Sequence, residues 1–131
     1  MNKIYVASAL TNYQRVLAIQ TILVAEGFTI AFDWAQAHRQ LIDQGRTESR
    51  QEAVAVCQQE AEAIKRADMF LLVLPAKRGA HVEFGIAAAY GVSCVVLAED
   101  SNLDIAFYGL PGVTLVRTFQ GALASLRELC L

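Results

Sequence analysis

The chain has 131 residues, 13 acidic against 11 basic, and a formal net charge of −2. That length holds one domain with a core of its own, and the acidic balance excludes the basic footprint of a nucleic-acid-binding surface. Hydrophobic residues make up 55% and charged residues only 18%, which excludes disorder and points to a sheet covered on both faces or to a surface used in assembly.

Met1-Asn2-Lys3-Ile4-Tyr5-Val6 enters a strand pattern at once, with no room for a signal peptide. Lys3 to Ala7 reads as the first strand. Tyr13 to Glu26 is a helix apolar on most sides, and Gly27 stands where a left-handed stop belongs. Phe28 to Phe32 is a short β-rich run, followed by Asp33-Trp34. Ala35 to Thr47 reads as a loop long enough to be a substrate lid. It carries His38, expected to be exposed among Arg39, Gln40 and Asp43. Glu48 to Arg66 is a long amphipathic helix with Ala53, Cys57, Ala61 and Ile64 on one face.

Met69 to Leu74 is a continuous apolar strand, buried on both sides, that Pro75 ends. Ala80 to Tyr90 is a helix of small residues closed by Gly91. Cys94 to Ala98 and Val113 to Val116 are two further strands, and Thr118 is placed to cap a last helix bearing Leu123, Leu126 and Leu129. No apolar run reaches the length of a spanning helix. Cys57, Cys94 and Cys130 are odd in number, far apart and without zinc spacing. The expectation is a cytoplasmic protein with no metal and no cofactor.

Strands alternating with helices predict an α/β fold: a five-stranded parallel sheet in the flavodoxin-like order 2-1-3-4-5, with helices on both faces. Ligands of such sheets bind at the carboxyl ends of the strands, where the order reverses. The segments to search are Ser8 to Asn12, Pro75 to Glu83, and the turn at Asp33-Trp34. The first loop, Ser8-Ala9-Leu10-Thr11-Asn12, has no glycine, which excludes a dinucleotide fingerprint and a P-loop. Pro75-Ala76 stands where a receiver domain needs an aspartate.

Glu83 is the only formally charged residue from Gly79 to Ala98. A lone carboxylate at the crevice mouth is a candidate site residue. An acid in the first turn of a helix is also favoured by the dipole alone, so both readings stand. Glu60 flanks the buried face of the long helix, three residues after Cys57. It either reaches out to water or faces the same crevice as Glu83. In the second case the pair suits glycosidic-bond chemistry, one carboxylate as nucleophile or ion-pair stabiliser and the other as proton donor.

Other residues carry weaker signals. Tyr5 points its hydroxyl at the crevice or belongs to the core. Trp34 stacks on a planar base or is simple packing. Arg78 beside Gly79, with Ser8, Thr11 and Asn12, holds a phosphate near the helix start or is a solvated loop cation. His81, at that helix start, is placed to contact a sugar hydroxyl.

In these residues the chain resembles the nucleoside 2-deoxyribosyltransferase superfamily, which includes the 2′-deoxynucleoside 5′-phosphate N-hydrolases. The resemblance runs from Lys3-Ile4-Tyr5, through Ile64-Lys65 and Ala67-Asp68 before an apolar strand, to the loop leading into Glu83-Phe84-Gly85 and the strand at Cys94. It implies that Glu83 is the nucleophile that attacks the anomeric carbon and holds the sugar covalently. It implies that Tyr5 orients Glu83, and that Glu60 stands for an aspartate that handles or protonates the base. Asp68 matches a strand-opening acid with no catalytic role.

Two positions depart from the pattern. Lys77 stands where broad-specificity transferases carry an aspartate, and Arg78-Gly79 where the phosphate-using hydrolases place a serine. The chain also resembles a branch with Asp-Trp after the second strand and an Arg-Gly-x-His-x-Glu loop. The resemblance implies one domain over residues 1–131 that cleaves the N-glycosidic bond of a nucleoside or nucleoside 5′-monophosphate. Water or a second base would resolve a glycosyl-Glu83 intermediate. It further implies a homodimer or larger homo-oligomer, while the charge balance and the lack of a long apolar run lead us to expect neither nucleic acid nor membrane as partner. The competing class is a non-catalytic nucleotide-binding sensor module in the same crevice.

Overall fold

A computed structural model describes residues 2–100 and 105–130. The elements run β1 (Lys3–Ala7), α1 (Tyr13–Ala25), β2 (Thr29–Ile30), α2 (Trp34–Asp43), α3 (Arg50–Arg66), β3 (Met69–Val73), α4 (Arg78–Ala89), β4 (Ser93–Leu97), β5 (Val113–Val116) and α5 (Phe119–Leu129). The five strands pair in parallel in the order β2-β1-β3-β4-β5, as the sequence predicts. One row of the register runs through Tyr5, Phe70, Cys94 and Val113.

The central strands are apolar at nearly every position because both faces are covered. Ile4 to Ala7, Phe70 to Val73 and Val95 to Leu97 are all fully buried. Right-handed crossovers in opposite directions from β1 send α1 to one face and α3 with α4 to the other. α3 and α4 pack against each other and over β1. α5 lies on β4 and β5, and its Arg127 pairs with Glu26 at the end of α1. No described helix is long and apolar enough to cross a membrane.

Helix ends follow local chemistry. Ser49 and Glu52 form a reciprocal capping box at the start of α3, with N···O distances of 3.1 and 3.0 Å. Thr118 accepts the Gly121 N–H at 3.0 Å and so caps α5. Gly27 ends α1 at φ +97°, a backbone conformation glycine adopts without strain.

Four expectations need correction. The expected loop at Ala35 to Thr47 is mostly helix. Asp33 accepts the Gln36 N–H at 3.0 Å, α2 packs on α1, and its Trp34 and Ala35 are buried. An element so anchored is wall, not a free lid. The run Phe28 to Phe32 yields only Thr29–Ile30 as strand, since the chain already turns toward the α2 cap at Asp33. α3 starts at Arg50 because Ser49 caps it, not at Glu48. α4 begins at Arg78, a turn-half earlier than Ala80.

The ends of the two central strands are tied to each other. The Ala9 N–H donates to the Pro75 carbonyl at 3.1 Å, and the Ser8 hydroxyl donates to the Val73 carbonyl at 2.7 Å. These bonds hold the loops after β1 and β3 side by side at the reversal point of the sheet.

Candidate active site

Alternation along β1 turns Tyr5 toward the face covered by α3 and α4. Its ring is fully buried and lies parallel to that of Phe70, centroids 5.7 Å apart. Phe70 in turn meets Phe84 of α4 at 6.4 Å. This aromatic stack fixes where the Tyr5 hydroxyl emerges. It emerges between two acids: the phenolic oxygen lies 3.2 Å from Glu60 Oε2 on α3 and also hydrogen-bonds Glu83 Oε2 on α4.

Both carboxylates line a cavity of about 570 Å³ at the carboxyl ends of β1 and β3. Leu10, Val82 and Ile86 supply much of its apolar wall, and Ser8, Cys57, Lys77 and Gly79 also border it. A small cavity of about 160 Å³ between α2 and α3 adjoins it, sharing Leu10, Trp34, Cys57 and Glu60 and adding His38 and Glu48.

The acids resist ionisation. Burial, reinforced by the charge of Glu60, pushes the Glu83 carboxyl up to about 7 against the pull of the Tyr5 hydrogen bond. Burial also raises Glu60, with the Glu48 charge adding to it, while hydrogen bonds from Tyr5 and Cys57 oppose the rise. Tyr5 itself is driven strongly upward by burial and by both carboxylates, so its phenol stays neutral. Two adjacent acids with unequal surroundings are what a nucleophile and a proton donor require.

Of the residues singled out from sequence, Tyr5, Glu60 and Glu83 meet directly. Ser8, Trp34 and Gly79 stand in the cavity wall. Ser8 donates its hydroxyl proton to Val73 and accepts from Asn12 Nδ2 at 2.9 Å, so it braces the loop. Trp34 is buried, with its indole N–H committed to the Val6 carbonyl at 2.7 Å.

Five residues fall outside this cavity's lining. Thr11 is exposed on a 3-10 turn. Asn12 borders a polar cleft with Arg15 and Glu99. Asp33 spends its carboxylate on the α2 cap and on Gln20 at 2.9 Å. Arg78 and His81 line a different, apolar cavity of about 690 Å³ beside Phe107 and Leu110. His81 there donates from Nδ1 to the Lys77 carbonyl at 2.9 Å and accepts from the Tyr108 hydroxyl at 2.8 Å.

Sequence reasoning missed Lys77 and Cys57 as cavity residues. Cys57 lies one helical turn before Glu60, which was signal enough to place them together. The place of Lys77 just before α4 puts it at the cavity rim. Among the described residues no group of three or more His, Cys, Asp or Glu side chains is placed to hold a metal ion.

No protein-family model matches this chain, and no curated protein sequence does. Solved structures do. The CMP N-glycosidase BcmB of Clostridium botulinum superimposes with a TM-score of 0.61 at 21% identity, over 98% of this chain and 99% of that one. BlsM, solved in solution, gives a TM-score of 0.68 at 18% identity, over 98% of this chain and 91% of BlsM. At such identities the likeness speaks for architecture alone, and over nearly its whole length this chain has the fold of these two proteins.

Proposed function

We propose that this protein cleaves the N-glycosidic bond of a nucleoside or nucleoside 5′-monophosphate, with Glu83 as the nucleophile. One observation carries the reading: the Tyr5 hydroxyl bridges Glu60 and Glu83 at the wall of a nucleotide-sized cavity. Two carboxyl oxygens joined by one hydroxyl lie within two hydrogen-bond lengths, about 6 Å. That is near the spacing of a retaining, covalent pair and too tight for the intervening water of an inverting one. The structural likeness to a CMP N-glycosidase supports the same bond as the target.

In this mechanism Glu83 Oε attacks the anomeric carbon as the bond to the base nitrogen breaks. The base leaves with the electron pair and takes a proton from the Glu60 carboxyl. Water then attacks the same carbon, gives a proton to Glu60, and frees Glu83. A second base in place of water makes the reaction a transfer. The start of α4, with Lys77, Gly79 and Ala80 in the cavity wall, suits a 5′-phosphate.

We also propose a homodimer or larger assembly. Val82, Gly85 and Ala89 on the outer side of α4 are exposed and uncharged, and Phe107 beside them is 66% exposed. An apolar surface of this kind is uncommon on a monomer.

Incubation with a panel of nucleosides and their 5′-monophosphates, scored for free base, tests the activity. Release of base by the wild-type chain and its loss in Glu83→Gln is the expected result. Tight binding of a nucleotide with no base released points instead to the sensor module.

A further inference from the structure

The Tyr5 hydroxyl has one hydrogen and two carboxyl neighbours. It donates to one of them only. Were both acids ionised, the second carboxylate oxygen would face the lone pairs of the phenolic oxygen with no hydrogen between them. The second contact is attractive only when the other carboxyl carries a proton and donates it to Tyr5. Three oxygens in a row, Glu60 Oε2, Tyr5 Oη and Glu83 Oε2, therefore fit two protons: the phenol's own and one acid proton.

We propose that the resting site holds a single acid proton shared by Glu60 and Glu83 through Tyr5, and that the Tyr5 hydroxyl moves it from Glu83 to Glu60 when the nucleophile is needed. The transfer balances without a co-reactant. The O–H bond of Glu83 breaks and a new O–H bond forms at Tyr5. The original Tyr5 O–H bond breaks and one forms at Glu60. The phenol is neutral before and after, and the net charge of the three groups stays at −1.

The transfer answers a problem set by burial. Burial favours a proton on Glu83, yet a nucleophile must give it up and a proton donor must hold it. A relay through Tyr5 exchanges the two states without opening the site to water. The surrounding groups set the balance. Cys57, on the same helix as Glu60, hydrogen-bonds it and favours its ionised form, while Glu48 favours its protonated form. His38 of α2 shares the small cavity with Glu60, and Lys77 shares the larger one with both acids. Among the described residues no other charged side chain borders these two cavities.

This inference rests on the proposed glycosidic reaction for its purpose, but proton sharing in the free protein does not. Carboxyl carbon-13 resonances of labelled glutamate, assigned with Glu60→Gln and Glu83→Gln, read it without any substrate. Sharing requires that the Glu60 and Glu83 signals each respond at both titration steps, because the steps belong to the pair. It also requires that Tyr5→Phe narrow the gap between the steps and alter both signals. Two independent steps, one per residue, with only Glu83 changed by Tyr5→Phe, would overturn it.

The relay itself is read from rates with an ordinary leaving base and with one that departs unprotonated. The extra loss of Tyr5→Phe with the ordinary base should match that of Glu60→Gln. The double variant should add nothing beyond about threefold. Multiplying losses would leave Tyr5 as a positioning residue only and overturn the relay. If the spectra show sharing and no substrate turns over, the glycosidic reading fails while the shared proton stands.

Discussion

Glu83 receives the hydroxyl of Tyr5 from beneath, so a residue of the central strand reaches the one carboxylate of α4 through an otherwise apolar core. The fold gives this half-buried acid one hydrogen bond from the core. Its raised affinity for a proton follows, and so does a cost in stability.

That cost has a sign and a pH window. A carboxyl whose proton affinity is higher folded than unfolded binds more protons in the native state, so stability falls as pH rises from the ordinary glutamate value of 4.5 toward about 7. The full loss is about 3 kcal/mol. Glu83→Gln keeps the size and can still accept from Tyr5, but it has no charge to bury. It is expected to melt several degrees above wild type at pH 8 and to match it near pH 4.5, by calorimetry at both values. Equal melting at pH 8 would mean that Glu83 is well solvated.

Activity should depend on pH in the opposite sense on its two sides. The productive form has one proton on the pair, so kcat/KM with an ordinary leaving base should be bell-shaped, with the descending limb near 7. A leaving base that needs no proton should abolish that limb, as should Glu60→Gln at a lower plateau. A descending limb that survives in Glu60→Gln assigns the essential proton to another group.

The proposed phosphate contact shifts from Arg78 to its neighbour Lys77. Arg78 points to the second cavity, and Lys77 borders the first. Lys77→Ala is therefore expected to raise KM for a 5′-monophosphate by a factor equivalent to about 1.5–3 kcal/mol, with the nucleoside almost unaffected. Arg78→Ala should do less. Steady-state kinetics on the matched pair of substrates decides it, and equal losses for both substrates would remove Lys77 from phosphate binding.

Assembly can be tested at Gly85. A side chain added there meets nothing within 4 Å inside its own subunit, and replacing glycine in a helix gains up to about 1 kcal/mol. Gly85→Glu should therefore fold at least as stably as wild type, yet place a charge in the apolar face of α4. Light scattering at micromolar concentration should show a dimer or larger for wild type and a monomer for the variant. A wild-type monomer would end the proposal.

Much of this was legible in the sequence because its signals are local. Gly27, Ser49 and Thr118 mark helix ends by their own chemistry, and the unbroken apolar run at Met69 announces a strand buried on both faces. Alternation along β1 and the flank position of Glu60 were enough to aim three residues at one crevice. What the sequence withheld depends on competition between partners. Asp33 looked available for a ligand until Gln36 and Gln20 claimed it. Asn12 is taken by Ser8, and His81 by the Lys77 carbonyl and Tyr108. Helix α2 was read as loop because its surface is polar, and only the Asp33 cap and buried Trp34 reveal it.

The proposed reaction passes through a covalent bond between Glu83 and the sugar. A 2-fluorinated nucleoside 5′-monophosphate slows both steps by disfavouring the oxocarbenium-like transition state, and it suits trapping when the leaving base is a good one. Intact-protein mass spectrometry should show one added glycosyl group, mapped by peptide analysis to Glu83 and absent from Glu83→Gln. That variant should also lose at least about 10³-fold in kcat, some 4 kcal/mol of barrier. No adduct, together with Glu83→Gln activity within a few-fold of wild type, would contradict the mechanism.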